Sequence, residues 1–287
     1  MLDTPVEKIM SKNVIYVEVP GDREEIFKVI NETKKTGFPV VKKGTRTLVG
    51  IITLTDILKN PEEEQIALLM TRNPITILPD APVLEAIKKI VSNNVRRLPV
   101  VDAENNVIGL LSVYDIVTKI IARMNISEPI RDHVRRNVVC IWYKTPISAA
   151  YRIMKFANTK FAPIVNNDGD VVGVLSDFDF LKILEIEREE KKSNVMGPSE
   201  DKDWTWNSSA ILYILKKTVK LPSDKVVSSI MVQDVVFVLD VTSISECASK
   251  IRKYNIDQFP VKNPDGELCG VIHDIDLLKA ILSKEIT

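Results

Sequence analysis

Residues 95–115 read VRRLPVVDAENNVIGLLSVYD: two short apolar runs, LPVV at 98–101 and VIGLLS at 107–112, around the polar turn AENN, with an aspartate closing the stretch. Runs of this length, rich in Val, Ile and Leu and bounded by turn residues, are those of buried strands. Outward from it the pattern recurs as GFPVV at Pro39, FAPIV at Pro163 and QFPVK at Pro260. Each proline is followed after 11, 10, 10 and 10 residues by Gly50, Gly109, Gly173 and Gly270, and six residues further on lie Asp56, Asp115, Asp179 and Asp276. Met10, Met70, Val134 and Met231 stand 29 residues before the prolines. Four copies in such register are an internal repeat, and the repeat decides the architecture.

Each copy predicts the same order. A β-rich stretch (NVIYVEV at 13–19, PITILP at 74–79) precedes a helix, which in the second copy starts at Asp80 and Pro82 and keeps Val83, Ala86, Ile87, Ile90 and Val91 on one face. Two strands and a short helix beginning near the aspartate complete a β-α-β-β-α unit of α/β (α+β) class. The chain divides into units at 1–62, 63–122, 123–185 and 223–287, with an insert at 186–222. A unit of about 60 residues buries too little surface to be comfortable alone, so the units are expected to pair. The steps from each aspartate to the next Met-like position, 14, 19 and 52 residues, couple the first two units closely and set the third and fourth apart. In the insert, LKILEIEREEKKSN reads as a solvated helix and WTWNSSAILYILKK as an apolar helix whose Trp204 and Trp206 dock it on a core, or else stack on a base.

Composition excludes several classes. Lys plus Arg and Asp plus Glu are 39 each, so no global positive field holds nucleic acid or an anionic membrane. The first residues, MLDTPVEKIM, have no apolar core, and no run of about 18 apolar residues occurs, which predicts a soluble, cytoplasmic protein without a membrane role. Cys140, Cys247 and Cys269 are widely spaced, form no CxxC pair and have only His133 and His273 to join them; they read as packed residues in a reducing compartment, with no metal site. There is no Walker P-loop, GxGxxG or GxSxG, and four aspartates at equivalent repeat positions look like four binding contacts; no enzyme activity and no catalytic residue are expected.

The Met-to-Pro spacing, the xPVV strand and the runs GIITLTD, GLLSVYD, GVLSDFD and GVIHDID resemble the CBS domain. The whole chain except the insert is similar to the stand-alone four-CBS proteins of archaea. The resemblance implies two Bateman modules, each with two clefts, assembled into a pseudo-symmetric disc like the gamma subunit of AMP-activated protein kinase. It further implies a regulatory protein that binds AMP, ADP or ATP, Mg²⁺ accompanying a polyphosphate, with no cofactor required.

Carried over residue by residue, the resemblance nominates Thr53 with Asp56, Ser112 with Asp115, Ser176 with Asp179, and Asp276 for ribose hydroxyls, to which a carboxylate offers charge-assisted bonds. In the fourth copy His273 replaces the hydroxyl residue, which leaves that cleft empty or differently selective. The position three before each proline holds Thr36, Arg96, Lys160 and Asp257. For phosphates the resemblance points to Arg96, Arg97 and Lys160, an arginine fork matching phosphate oxygens; Asp257 would repel one. Two plainer readings stand beside these. Ser/Thr-x-x-Asp before a helix is also a capping pattern, and Arg96 and Arg97 also suit a solvated helix end. Arg131, Arg135 and Arg136 form a further cluster that faces either a central opening or the ordinary surface. The alternatives in function are a CBS-fold module binding S-adenosylmethionine, or nucleic acid through Arg131–Arg136, and a structural scaffold for an enzyme on a separate chain. A homodimer is compatible with each.

Overall fold

The computed structural model describes residues 1–60, 62–181, 183, 185–196, 209–222 and 224–285. The first unit runs β1 (Val17–Val19), α1 (Arg23–Thr33), β2 (Gly37–Lys42), β3 (Leu48–Thr53) and α2 (Leu54–Lys59). α3 (Ile66–Leu69) and β4 (Thr71–Arg72) lead into the second: α4 (Val83–Ser92), β5 (Arg97–Val101), β6 (Val107–Ser112) and α5 (Val113–Lys119), where a single bridge from Ile77 to Val100 stands in for the first strand. The third has β7 (Ile141–Trp142), α6 (Ile147–Phe156), β8 (Phe161–Val165), β9 (Val171–Ser176) and α7 (Asp177–Leu181). β10 (Glu185–Met196) and β11 (Ser209–Lys220) follow, and the fourth unit closes with β12 (Val238–Leu239), α8 (Ile244–Tyr254), β13 (Gln258–Lys262), β14 (Leu268–His273) and α9 (Asp274–Glu285). The β-α-β-β-α order thus holds in all four units.

The repeated proline sits in the middle strand of each sheet without loss. In the first unit β1 pairs parallel with β2 only from Val40 onward, one residue past Pro39. The partners in the other units likewise start at Val100, Ile164 and Val261. The missing N–H therefore falls where the strand has one neighbour. One residue later every copy carries a register shift, between Val40/Val41, Val100/Val101, Ile164/Val165 and Val261/Lys262.

The pairing of units is a reciprocal exchange of their leading segments. Val6 and Ile9, first in sequence, are buried with the second unit's Ile87 and Leu98, whereas Ile66 and Leu69, which open the second, lie in the first unit's core with Phe38 and Ile52. Ile130 joins the fourth unit's core, and Val227 and Ile230 join the third's. Each leader ends in the Met-like residue, which packs on the partner's strand glycine: Met10 on Gly109, Met70 on Gly50, Val134 on Gly270 and Met231 on Gly173. A Cβ at Gly50 would fall 2.6 Å from the Met70 sulfur and one at Gly173 2.6 Å from that of Met231. The two fixed positions of the repeat, Met-like and Gly, are thus the two halves of one contact.

Helices then join the pairs. α4 and α5 of the second unit share one core with α8 and α9 of the fourth, where Ile116, Val117, Ile251 and Leu277 are buried. Across the other side, Phe178 of the third unit packs against the first unit's core, and the Tyr151 hydroxyl donates to the Leu58 carbonyl at 3.4 Å. The units follow one another around a closed ring in the order first, second, fourth, third.

The insert differs from its expected helices: β10 and β11 form an antiparallel ribbon in which Glu185 faces Lys220 and Met196 faces Ser209. An apolar run such as SAILYIL fits either periodicity, and its backbone pairing with residues 185–196 decides for the strand. Trp204 and Trp206 lie outside the described residues. Among the described residues no helix is long and apolar enough to cross a membrane. Of the cysteines Cys247 is buried as expected, whereas Cys140 is exposed.

Because the glycine contact has no free volume, Gly50→Ala or Gly109→Ala should lower the unfolding free energy by about 1–3 kcal/mol, the usual effect of overpacking. Urea denaturation measures it, and variants as stable as the parent would remove the contact from its central place.

Candidate functional site

The side chains nominated for phosphate meet where the four units converge. After each first helix the chain passes a residue in the left-handed region, Lys34 (φ 58), Asn94 (φ 51), Asn158 (φ 49) and Asn255 (φ 54), a conformation asparagine adopts more readily than most. Two residues later stand Thr36, Arg96, Lys160 and Asp257. The same backbone turn thus delivers one side chain from each unit to the centre.

The three basic residues there are not equivalent. The Arg96 Nη2 donates to Asp257 Oδ2 and to both Asp274 oxygens, each at 2.9 Å. Arg97, its neighbour, donates from Nη2 to the Thr36 hydroxyl at 3.0 Å and packs against Gly37, where a Cβ would sit 2.8 Å from the guanidinium. Among the described residues it makes no ion pair. Lys160 donates to the Thr55 hydroxyl at 3.0 Å, again without a carboxylate at salt-bridge distance among those residues.

Electrostatics follow from this partition. Burial works to lower the Arg96 guanidinium, but Asp274 and Asp257 outweigh it and raise it. Arg97 is held below its ordinary range by burial and then by the adjacent Arg96. Lys160 is lowered by burial, with Asp177 opposing. Asp177 in turn is pushed up to about 6 by burial, against the pull of Lys160. Asp274, with no exposed surface, is raised by burial to about 7 while Arg96 pulls the other way. The direction for this pair is set by a fully buried carboxyl facing a cation that it shares with Asp257.

The ribose candidates divide by what each carboxylate still offers. One oxygen of every motif aspartate serves its own helix start: Asp56 Oδ2 accepts from the Thr53 N–H at 2.8 Å and hydroxyl at 2.6 Å, and Asp179 Oδ2 from the Ser176 N–H at 2.8 Å and hydroxyl at 2.7 Å. Asp115 Oδ2 takes the Ser112 N–H at 3.0 Å and its hydroxyl, and Asp276 Oδ2 takes the His273 N–H at 3.1 Å. The capping reading is therefore realised, and it occupies one of two carboxylate oxygens. The second differs from unit to unit. Asp115 Oδ1 receives Lys119 at 2.7 Å. Asp276 is gripped at both oxygens by Arg135, at 2.8 Å each. Oδ1 of Asp56 accepts no hydrogen bond among the described residues, and the residue before it in the chain, Thr55, is the one that holds Lys160.

In the fourth unit, His273 is lowered to about 4 by burial, with Arg135 adding to it, and its ring meets Phe161 edge to face at 6.2 Å. That motif is an internal ion pair closed by a neutral histidine. Arg131 is likewise held by Asp240 at 2.8 Å. Two of the three arginines of the 131–136 cluster are thus spent on fourth-unit carboxylates. Sequence reasoning missed Asp177, Asp274 and Thr55. A signal was present for the first two, since only SDFD and HDID carry an acid directly after the Ser or His position.

The chain belongs to the CBS-domain family, whose pattern matches residues 6–63, 64–122, 130–186 and 227–283. It is similar to the uncharacterized protein MJ1225 of Methanocaldococcus jannaschii, 24% identical over 289 residues that cover 94% of this chain and 95% of that protein. The crystal structure of MJ1225, offered as a candidate archaeal homologue of g-AMPK, superposes with a TM-score of 0.75 at 22% identity over 97% of this chain and all of that one. An uncharacterized conserved protein of Pyrococcus horikoshii superposes with a TM-score of 0.63 at 26% identity, again over 97% of this chain and all of that one. Among the described residues no cluster of three His, Cys, Asp or Glu side chains could hold a metal ion.

Arg96 and Arg97 should respond oppositely to the same change. Arg96→Met strands Asp274 buried without its partner and is expected to lose about 3–5 kcal/mol, whereas Arg97→Met removes a half-buried cation that has no acid and should be neutral or stabilising. Equal losses would overturn the partition. A second expectation concerns pH. The folded carboxyl of Asp177 titrates above the unfolded value of 3.8, near 6, so its contribution to stability is complete below about pH 4 and is lost as pH rises through 6. The stability of the parent relative to Asp177→Asn should therefore fall by roughly 2 kcal/mol between pH 4 and 7; the comparison cancels His273, whose effect runs the other way. A difference that is flat with pH would contradict the burial of this carboxyl.

Proposed function

We propose that this chain is a non-catalytic regulatory protein that binds an adenine nucleotide, AMP, ADP or ATP, in the cleft opened by Thr53 and Asp56, with its phosphate directed to Arg97 and Lys160. The observation that carries the reading is the pair of cations at the centre, Arg97 half-buried and Lys160 exposed, held by the Thr36 and Thr55 hydroxyls with no carboxylate at salt-bridge distance among the described residues. A cation such as Arg97 is kept where an anion completes it, because burial without a counter-charge works against folding; Lys160, open to solvent, is free to meet the same anion. The free oxygen of Asp56 supplies the other half: an acceptor for a ribose diol beside the residue that anchors Lys160.

Regulation follows by linkage. A nucleotide reaching from the first unit's motif to Arg97 of the second and Lys160 of the third touches three units, and so favours one setting of the ring over others. A partner that prefers that setting gains or loses affinity by the same factor. The partner, by this reading an enzyme on a separate chain, reads energy charge through which nucleotide is bound. An S-adenosylmethionine site would share the ribose contacts but leave the two cations unused. A nucleic-acid surface is disfavoured by the ion pairs that occupy Arg131 and Arg135.

Calorimetric titration with AMP, ADP, ATP and S-adenosylmethionine tests this. One to three adenine nucleotides per chain are expected. Asp56→Asn, which keeps an acceptor for the Thr53 cap, should weaken binding about tenfold or more, since a hydrogen bond to a charged group is worth about 1.5–3 kcal/mol. Unchanged affinity would sink the ribose contact, and tight S-adenosylmethionine binding without nucleotide binding would replace the proposal by the second reading.

A further inference from the structure

Asp257 and Asp274 have no place in that reading, yet they hold the most basic side chain at the centre. We infer that these two carboxylates, by sequestering Arg96, restrict the phosphate subsite to a monophosphate and so act as specificity-determining residues. The inference rests on the nucleotide reading above and adds to it the class of ligand selected.

With Arg96 closed in its triad with Asp257 and Asp274 and Arg135 paired with Asp276, the nominated cations left without an acid partner among the described residues are Arg97 and Lys160, two positive charges against the two negative charges of a monophosphate. A second or third phosphate would bring further negative charge and meet Arg96 and Arg135 already paired with acids. It would instead approach acids from two sides. Asp257 and Asp274 are gathered on Arg96, the neighbour of Arg97, and the Asp177 N–H donates to the Lys160 carbonyl at 3.2 Å, which sets that acid beside the lysine. Like charges brought together in a partly desolvated centre repel strongly, which is how a site rejects the wrong ligand as well as selecting the right one.

The two acids contribute differently. Asp274 has no exposed surface and is tied by Arg96 and by the Ile275 N–H at 2.7 Å, so it is a fixed part of the fold. Asp257 keeps 46% of its side chain exposed, and among the described residues its carboxylate accepts one hydrogen bond, from Arg96 at 2.9 Å. It comes from the position three before the proline that in the second and third units supplies Arg96 and Lys160. The fourth unit thus places an acid where its neighbours place a base. Asp257 is the half of the clamp that can be altered without disturbing the core.

The experiment is titration of the full chain and of Asp257→Asn with AMP and with ATP, in magnesium-free buffer, reading the ratio of the two affinities. The parent should favour AMP by about tenfold or more, and Asp257→Asn should move the ratio toward ATP by about tenfold while its melting temperature stays near that of the parent. A general loosening of the structure would weaken both nucleotides and leave the ratio in place. A ratio unmoved by Asp257→Asn, or a parent that already favours ATP, overturns the inference. Titration with inorganic phosphate and tripolyphosphate separates it from the nucleotide reading. If no nucleotide binds but Asp257→Asn still gains tripolyphosphate over phosphate, the nucleotide reading alone falls; no gain with either probe set rejects the clamp itself.

Discussion

The contact between a leader's Met-like side chain and a glycine on the neighbouring unit's strand is what the remaining architecture depends on. It is made four times, always between partners, and it brings with it the apolar residues just upstream, so that no unit has a complete core of its own. Val6 and Ile9 belong to the second unit's interior although they precede the first in sequence. A small α/β unit has too little buried surface to stand alone. Here the deficiency is met by exchange, and the exchange makes the pair the cooperative element. Since the glycine strand leads directly into the motif carrying Asp56, Asp115, Asp179 or Asp276, a contact that serves folding also sets the height at which each carboxylate is presented.

From that frame the centre follows. Closing two pairs into a ring through α4, α5, α8 and α9 on one side and Phe178 on the other brings four equivalent turns face to face. Equivalent backbone with non-equivalent side chains, Thr36, Arg96, Lys160 and Asp257, is how a repeat protein can hold a symmetric frame and an asymmetric site. The ion pairs of Arg96 and Arg135 both reach from earlier units to fourth-unit carboxylates, so the fourth unit reads as the counter-charge of the assembly. This is why its motif differs: His273 sits buried and neutral beside an aspartate already satisfied by arginine.

Much of this was legible in the chain. Proline, glycine and aspartate at fixed steps disclosed the repeat and each unit's β-α-β-β-α order, because those residues mark constraints local to a unit. The Met-to-Gly partnership was visible only as two separate regularities, since the contact is between units and no spacing within one reveals it. Thr53, Asp56, Arg97 and Lys160 could be named from the motif. The capture of Arg96 by Asp257 and Asp274 could not, because it joins residues more than 160 positions apart. The insert misled for a different reason. Its apolar run is compatible with two periodicities, and the choice between them was made by the facing strand.

That ribbon also bears on how the third and fourth units find one another. Asp179 and Met231 are 52 residues apart in sequence, but Glu185 faces Lys220 across the ribbon, which takes 35 of those steps out of the path and leaves 17, between the 14 and 19 of the other junctions. Loop-closure entropy grows as the logarithm of the free length, so the ribbon, once zipped, returns the pair to a tether like its neighbours' and offsets about 1 kcal/mol of the disadvantage of the longer chain. The excursion leaves and re-enters at one point, so the polymer statistics of the ring are nearly those of four units joined without it.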